Sequence, residues 1–276
     1  MLIIDHVTKN YDEFKAVDDL HLNIPKGELF CFLGPNGAGK TTTIKMITSL
    51  LRPTSGKITI DGFDIQQDPI EAKRRIGFIP DTPYLYEKLT GREFLHFIGD
   101  LYKIPMQQQK DALNKYFDLF TLIPSADKMI ENYSHGMRQK LCFAVAFMHN
   151  PKVLVIDEPM IGLDPKSSRT LKNLLLEFCA AGGTVFLSTH LLYIAEELAD
   201  RIGIINNGKI RFLGTMDELR KNMSRNDALE DLFLKLTEEG EETINNAAIP
   251  TSAHNGHTEP ERATKEETEE ETEVLR

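Results

Sequence analysis

The sequence predicts a three-layer α/β domain with a mostly parallel sheet and an inserted helical subdomain, on three observations. Short apolar runs alternate with longer amphipathic segments, the pattern of strands joined by crossover helices. Three of those runs end in polar, chemically capable residues: ELFCFL (28–33) closes on glycine, VLVI (153–156) on two carboxylates, and TVFL (184–187) on Ser188, Thr189 and His190. From about residue 83 to 150 the pattern turns helical, and GREFLHFIGDLY and QQQKDALNKYFDLF space their apolar residues by three and four.

Along the chain, the first run is followed by a glycine-rich stretch and then by an amphipathic segment, residues 40–51, stopped by Pro53. That order predicts strand, loop and helix. A helix is also expected after His190, in LLYIAEELADRI. From Thr237 onward apolar periodicity is lost, and twelve glutamates against Arg262, Lys265 and Arg276 place nine of the ten net negative charges there. Such a stretch buries too little apolar surface to offset its ordering entropy, so residues 237–276 are expected to be a disordered acidic tail. It serves either as a solvated extension or as a docking segment for a basic surface.

Composition narrows the function classes. With 41% hydrophobic residues in 276, the chain is long enough to bury a sizeable core. No stretch approaches the roughly 18–20 uninterrupted apolar residues of a membrane span. The start, MLIIDHVTKNY, lacks the basic and long apolar segments of a secretory signal, so a cytoplasmic address is expected. A net charge of −10 argues against a nucleic-acid partner. Cys31, Cys142 and Cys179 lie in apolar surroundings without metal-ligand spacing and read as buried small hydrophobes.

The strongest chemical signal is GPNGAGKT at residues 34–41, a full GxxxxGK[ST] match between a strand and a helix. The backbone of Gly34, Pro35, Asn36, Gly37, Ala38 and Gly39, with Thr42 just beyond, can fold into a nest in which every residue but proline offers an N–H donor, and the helix N-terminus reinforces its anion affinity. Lys40 supplies a point charge for terminal phosphates, and the Thr41 hydroxyl is a hard oxygen ligand suited to Mg²⁺. Together they point to Mg-ATP as the ligand. Asp157 and Glu158 end a buried strand, where unpaired charge is costly unless a cation lies nearby. Neighbouring residues of an extended strand face opposite ways, so the two acids should have different roles, with Asp157 toward the metal and Glu158 toward the attacking water as general base. A capped strand end is the plainer reading of that pair. A lone histidine at the place of His190 is more often structural than catalytic.

With GPNGAGKT, VLVIDEP, GLDP (162–165) and STH in this order, residues 2–236 resemble the nucleotide-binding subunits of ABC transporters. The resemblance implies a P-loop NTPase core over residues 1–236, with a small antiparallel β part at the N-terminus and the helical subdomain at about 83–150. It also implies ATP hydrolysis coupled to transport, with ATP and Mg²⁺ as cofactors. Tyr11 takes the place of the aromatic that stacks on adenine, although a tyrosine there could equally be core. Asp157 and Glu158 match the metal and base positions, His190 the histidine that touches the γ-phosphate, and Leu163 and Asp164 the loop at the dimer seam. The expected partners are a second ATP-binding subunit, a homodimer being the simplest form, and a separate membrane permease holding the protein at the inner face of the membrane.

Two departures from the family pattern stand out. The signature loop reads YSHGMRQ (133–139) rather than LSGGQ; Ser134 and Gly136 keep the hydroxyl and the close backbone approach, while His135 and Met137 differ. Where the family commonly has a metal-contacting glutamine, this chain has Asp81, which remains a candidate Mg²⁺ ligand. IPDTPYLYEKLTGREFL, YSHGMRQKL and ALEDLFLKLTEEG resemble the exporter branch that handles antibiotics, peptides, lipids or ions. The competing reading, a soluble ABC-type ATPase acting on ribosomes or DNA, would call for two cassettes or a long inserted coiled coil, and neither is present.

Overall fold

The structure, a computed structural model, describes residues 1–221 and 229–238. Its strands form two sheets. The first is antiparallel and N-terminal, with β1 (Leu2–Tyr11), β2 (Phe14–Ile24), β4 (Ser55–Ile60) and β5 (Phe63–Asp64) in the order β2-β1-β4-β5. The second holds β3 (Leu29–Leu33), β6 (Ile76–Ile79), β7 (Val153–Asp157), β8 (Thr184–Thr189), β9 (Arg201–Asn206) and β10 (Lys209–Gly214), in the order β10-β9-β3-β8-β7-β6. All its neighbours run parallel except the β9–β10 hairpin.

The central strands are apolar on both faces, as a parallel sheet covered on both sides requires. Alternation along each strand divides the core in two. Leu29, Cys31 and Leu33 of β3, Leu154 and Ile156 of β7, and Val185 and Leu187 of β8 face a cluster built with the helices. Phe30, Phe32, Val153, Val155 and Phe186 face the opposite cluster, built with the antiparallel sheet and α1 (Lys40–Ile47). Phe186 is central to that second cluster, 6.0 Å from the Phe30 ring and 5.2 Å from Phe32. Phe186→Ala is therefore expected to lower unfolding stability by about 3–5 kcal/mol, measurable by denaturant titration.

Short α2 (Pro69–Arg74) precedes β6, and then the helical region follows: α3 (Gly91–Leu101), α4 (Met106–Leu119), two single 3₁₀ turns and α5 (His135–Met148). Thr90 and Glu93 form a capping box that fixes the start of α3, each side chain bonded to the other's backbone N–H. After β7 come α6 (Pro165–Ala180), α7 (Leu192–Leu198), α8 (Met216–Lys221) and α9 (Leu229–Glu238). Among the described residues no helix is long and apolar enough to cross a membrane. All three cysteines are buried and free, and burial pushes the thiols of Cys142 and Cys179 up to about 12.

Two boundaries differ from expectation. Helix α1 stops at Ile47 instead of continuing to residue 51. Ser49 adopts a left-handed backbone (φ +56°), and the N–H groups of Leu50 and Leu51 turn back to the Lys45 carbonyl, closing the helix one turn early. The acidic tail is expected from Thr237, but Thr237 and Glu238 end α9. The Thr237 hydroxyl donates to Phe233 O at 2.8 Å, and Asn206 Nδ2 donates to Thr237 O at 2.8 Å. A side chain of β9 thus ties the helix end to the sheet. The remaining acidic tail, residues 239–276, lies outside the described residues.

Candidate active site

Register brings the three polar strand ends together. Leu33 of β3 pairs with Thr189 of β8, and Ser188 pairs with Asp157 of β7, so the glycine-rich loop, His190 and the acid pair leave the same edge of three adjacent strands. The C-terminal edge of parallel strands is where α/β sheets bind ligands.

Residues 34–39 run from β3 into α1, with Gly39 as the N-cap at φ +112°. Only glycine fits at both ends of this loop. A Cβ at Gly34 would sit 2.4 Å from Ile205 O, and one at Gly39 2.6 Å from Ala16 O. Lys40 is 7% exposed, and its ammonium donates to Gly34 O at 2.6 Å and Pro35 O at 3.1 Å. Burial pushes its pKa down, opposed by the charges of Glu158 and Asp157. Thr41 is exposed and Thr42 half-buried in the first turn of α1, so hydroxyls stand where the helix N–H groups are open.

Asp157 is 8% exposed. Its carboxyl is raised above the usual range, first by burial and then by the charges of Glu158 and Asp81, against Ser188 and Lys40, which lower it. A buried acid so disfavoured as an anion is one that a nearby cation would stabilise. Glu158 is positioned otherwise than an extended strand would place it. β7 ends at Asp157, and Glu158 has a left-handed backbone (φ +47°), its N–H bonded to Ser188 O at 3.0 Å. The two carboxylates diverge because the backbone turns between them. Glu158 Oε1 accepts from the His190 backbone N–H at 3.0 Å and lies 2.7 Å from His190 Nδ1, while Oε2 accepts from Thr189 Oγ1 at 3.0 Å. Facing a carboxylate, Nδ1 is the donor of this pair, and among the described residues Nε2 makes no hydrogen bond. Thr189, which the sequence shows only as one of three polar residues at the end of this strand, gains a specific role from its bond to Glu158.

Asp81, Thr41 and Asp157 line a groove of about 700 Å³ together with Tyr84, Phe94, Tyr102 and His149. Tyr11 closes β1, 44% exposed beside the tight turn that joins Tyr11 to Phe14. The hairpin's second strand abuts the loop at Ala16, which the close approach of Gly39 records.

The signature stretch is elsewhere. Ser134 caps α5, its hydroxyl accepting from Met137 N at 3.3 Å. Among the described residues no hydrogen bond or ion pair joins Ser134 or Gly136 to the loop, the acid pair or His190. Gly136 instead packs on the GLDP turn, where a Cβ would come within 2.7 Å of Gly162 O. His135 fills the space over Gly162, leaving no room for a side chain there (2.3 Å from a Cβ to His135 Cδ2). Asp164 caps α6 by accepting from Ser167 N at 2.9 Å, and it meets Lys140 of α5 at 3.1 Å. Its carboxyl is held well below the usual range, chiefly by the Ser167 hydroxyl. The departure at His135 is thus absorbed within one chain, where the turn and the signature helix pack as neighbours.

Residues 17–161, more than half of the chain, match the ABC transporter family. The chain is 37% identical over 220 residues to the daunorubicin/doxorubicin resistance ATP-binding protein DrrA of Streptomyces peucetius, covering 80% of this chain and 67% of that one. It is 34% identical over 254 residues to the linearmycin resistance ATP-binding protein LnrL of Bacillus subtilis (92% and 80% covered). Among solved structures, an ATP-binding subunit of an ABC transporter superposes with a TM-score of 0.81 at 33% identity, covering 86% of this chain and 99% of that one. An ATP-binding cassette solved as a post-hydrolysis dimer with ADP and Pi gives 0.72 at 26% identity (78% and 99% covered). With its phosphate loop, acid pair and histidine gathered on one sheet edge, this chain belongs to the ABC transporter family as an ATP-binding, ATP-hydrolysing subunit.

Proposed function

We propose that this ATPase is the motor of an exporter: two copies close around two Mg-ATP and drive a separate membrane permease. The carrying observation is the linkage of Glu158 to His190 and Thr189 beside the buried Asp157 and the Lys40 loop. In this reading the loop N–H groups and Lys40 hold the terminal phosphates, and Tyr11 offers its exposed ring to adenine. Thr41, Asp157 and Asp81 are all oxygen ligands, and the unfavourable ionisation of Asp157 fits a hard cation beside it. Bound Mg²⁺ would supply neutralisation of phosphate charge. Glu158 takes the proton of the attacking water at its carboxylate, and His190, oriented through Nδ1, turns Nε2 to the γ-phosphate.

Among the described residues no hydrogen bond or ion pair ties Ser134 or Gly136 to the site of their own chain, which supports a second copy supplying them across a closed dimer. The groove supports the permease contact. Its rim exposes Tyr84 (88% exposed) and Leu50 (64%), an apolar surface of the kind that marks an interaction site, and it is continuous with Asp81 beside Asp157. Resistance-type relatives support export as the direction.

Sedimentation of Glu158→Gln with Mg-ATP tests the dimer: the chain is expected to run as a dimer with Mg-ATP and as a monomer with ADP. A monomer in both conditions would remove the two-copy site. Replacing Asp157 with Asn is expected to raise the Mg²⁺ concentration needed for half-maximal ATPase by about tenfold or more, as loss of a metal's supporting ligand does. An unchanged Mg²⁺ dependence would place the metal elsewhere.

A further inference from the structure

Two histidines of the N-terminal sheet lie outside the nucleotide site, and two irregularities in strand pairing gather them with acids. Ile4 pairs with Leu22 and Val7 with Leu20, so Asp5 and His6 of β1 share the stretch opposite His21 of β2. Further along, Val7 pairs with Leu20 and Lys9 with Val17, so Asp18 and Asp19 share the stretch opposite Thr8. Each bulge contains a left-handed residue that is not glycine: His6 at φ +48° and Asp19 at φ +53°. Such backbones are uncommon, and bulges re-aim side chains. Gly56 of β4 closes on the first bulge so tightly that a Cβ there would stand 2.3 Å from His6 O.

The result is a compact set of ligand-type atoms. The His6 and His21 rings lie 4.9 Å apart. Asp19 Oδ1 holds His6 Nδ1 at 2.7 Å, and Asp5 Oδ1 lies 3.3 Å from His21 Nδ1. That His21 nitrogen is buried and has no hydrogen-bond partner among the described residues. Asp5, His6 and His21 each offer one ligand atom, and the three atoms lie within 4.8 Å of one another.

We infer that Asp5, His6 and His21 form a binding site for a borderline divalent transition metal such as Zn²⁺, with Asp19 orienting His6. Two imidazoles and a carboxylate suit Zn²⁺, whereas Mg²⁺ prefers all-oxygen sites. A carboxylate on the second ring nitrogen is the outer partner that metal-binding histidines use, and it leaves His6 Nε2 for the metal. Ligands at about 2.1 Å from one tetrahedral ion stand roughly 3.4 Å apart, so the set contracts slightly on binding. The His6 side chain, 66% exposed, has room to rotate inward, and water completes the shell. The ion would staple β1 to β2 at their bulges.

Calorimetric titration of the untagged full-length chain with Zn²⁺, in excess Mg²⁺ to fill oxygen-donor sites, tests this. One Zn²⁺ per chain is expected, with a thermal midpoint that rises as Zn²⁺ is added. His6→Asn, which tolerates the left-handed backbone, and His21→Ser are each expected to weaken Zn²⁺ binding by about tenfold or more while leaving zinc-free ATPase activity unchanged. Absence of Zn²⁺ binding, or binding that both variants retain, would overturn the assignment.

Discussion

Glu158→Gln is expected to cut ATPase turnover by about 10² or more while leaving ATP affinity essentially intact. A positioned general base contributes roughly that much to a rate. The substitution is close to isosteric: its amide oxygen can still accept from the His190 backbone N–H while its NH2 donates to Thr189 Oγ1, so the left-handed turn at residue 158 survives. What is lost is the carboxylate that receives a proton. Steady-state phosphate release paired with a nucleotide titration separates the two effects. Equal turnover in variant and parent would refute the base assignment, and loss of binding with turnover would point to a folding defect.

The second large effect is expected at the loop. Lys40→Ala should weaken Mg-ATP binding by about tenfold or more, because a charge-assisted hydrogen bond contributes roughly 1.5–3 kcal/mol and each 1.4 kcal/mol is about a factor of ten. The Lys40 ammonium is bonded to two loop carbonyls, Gly34 O and Pro35 O. Its removal therefore also takes away a clamp on the loop, and a modest fall in thermal midpoint should accompany the lost affinity. Unchanged affinity by calorimetry would mean that the loop does not cradle phosphate.

Much of this arrangement was legible in the sequence because its determinants are local. GPNGAGKT specifies strand, nest and helix within a few residues, and the nearly uninterrupted apolar runs in ELFCFL, VLVI and TVFL mark strands apolar on both faces. The polar residues ending those runs were legible too, but that they share one sheet edge follows only from the register of β3, β8 and β7. What was not legible depends on pairing between distant segments. Strand alternation predicts the divergence of Asp157 and Glu158, yet it comes from a left-handed Glu158 that Ser188 O and the β8 end hold in place. Thr189 acquires its role only when β8 brings it beside Glu158. The early stop of α1 rests on the backbone turn at Ser49, and α9 keeps Thr237 through a bond from Asn206 thirty-one positions away. Likewise, the bulges that bring Asp5, His6 and His21 together follow from the register of β1 on both its neighbours.

The central claim, a motor that drives a separate membrane permease, is tested most directly by purifying this chain from its native membranes in mild detergent and identifying its companions by mass spectrometry. The account predicts a stoichiometric polytopic membrane protein. Recovery with ribosomal or other soluble partners alone would contradict it.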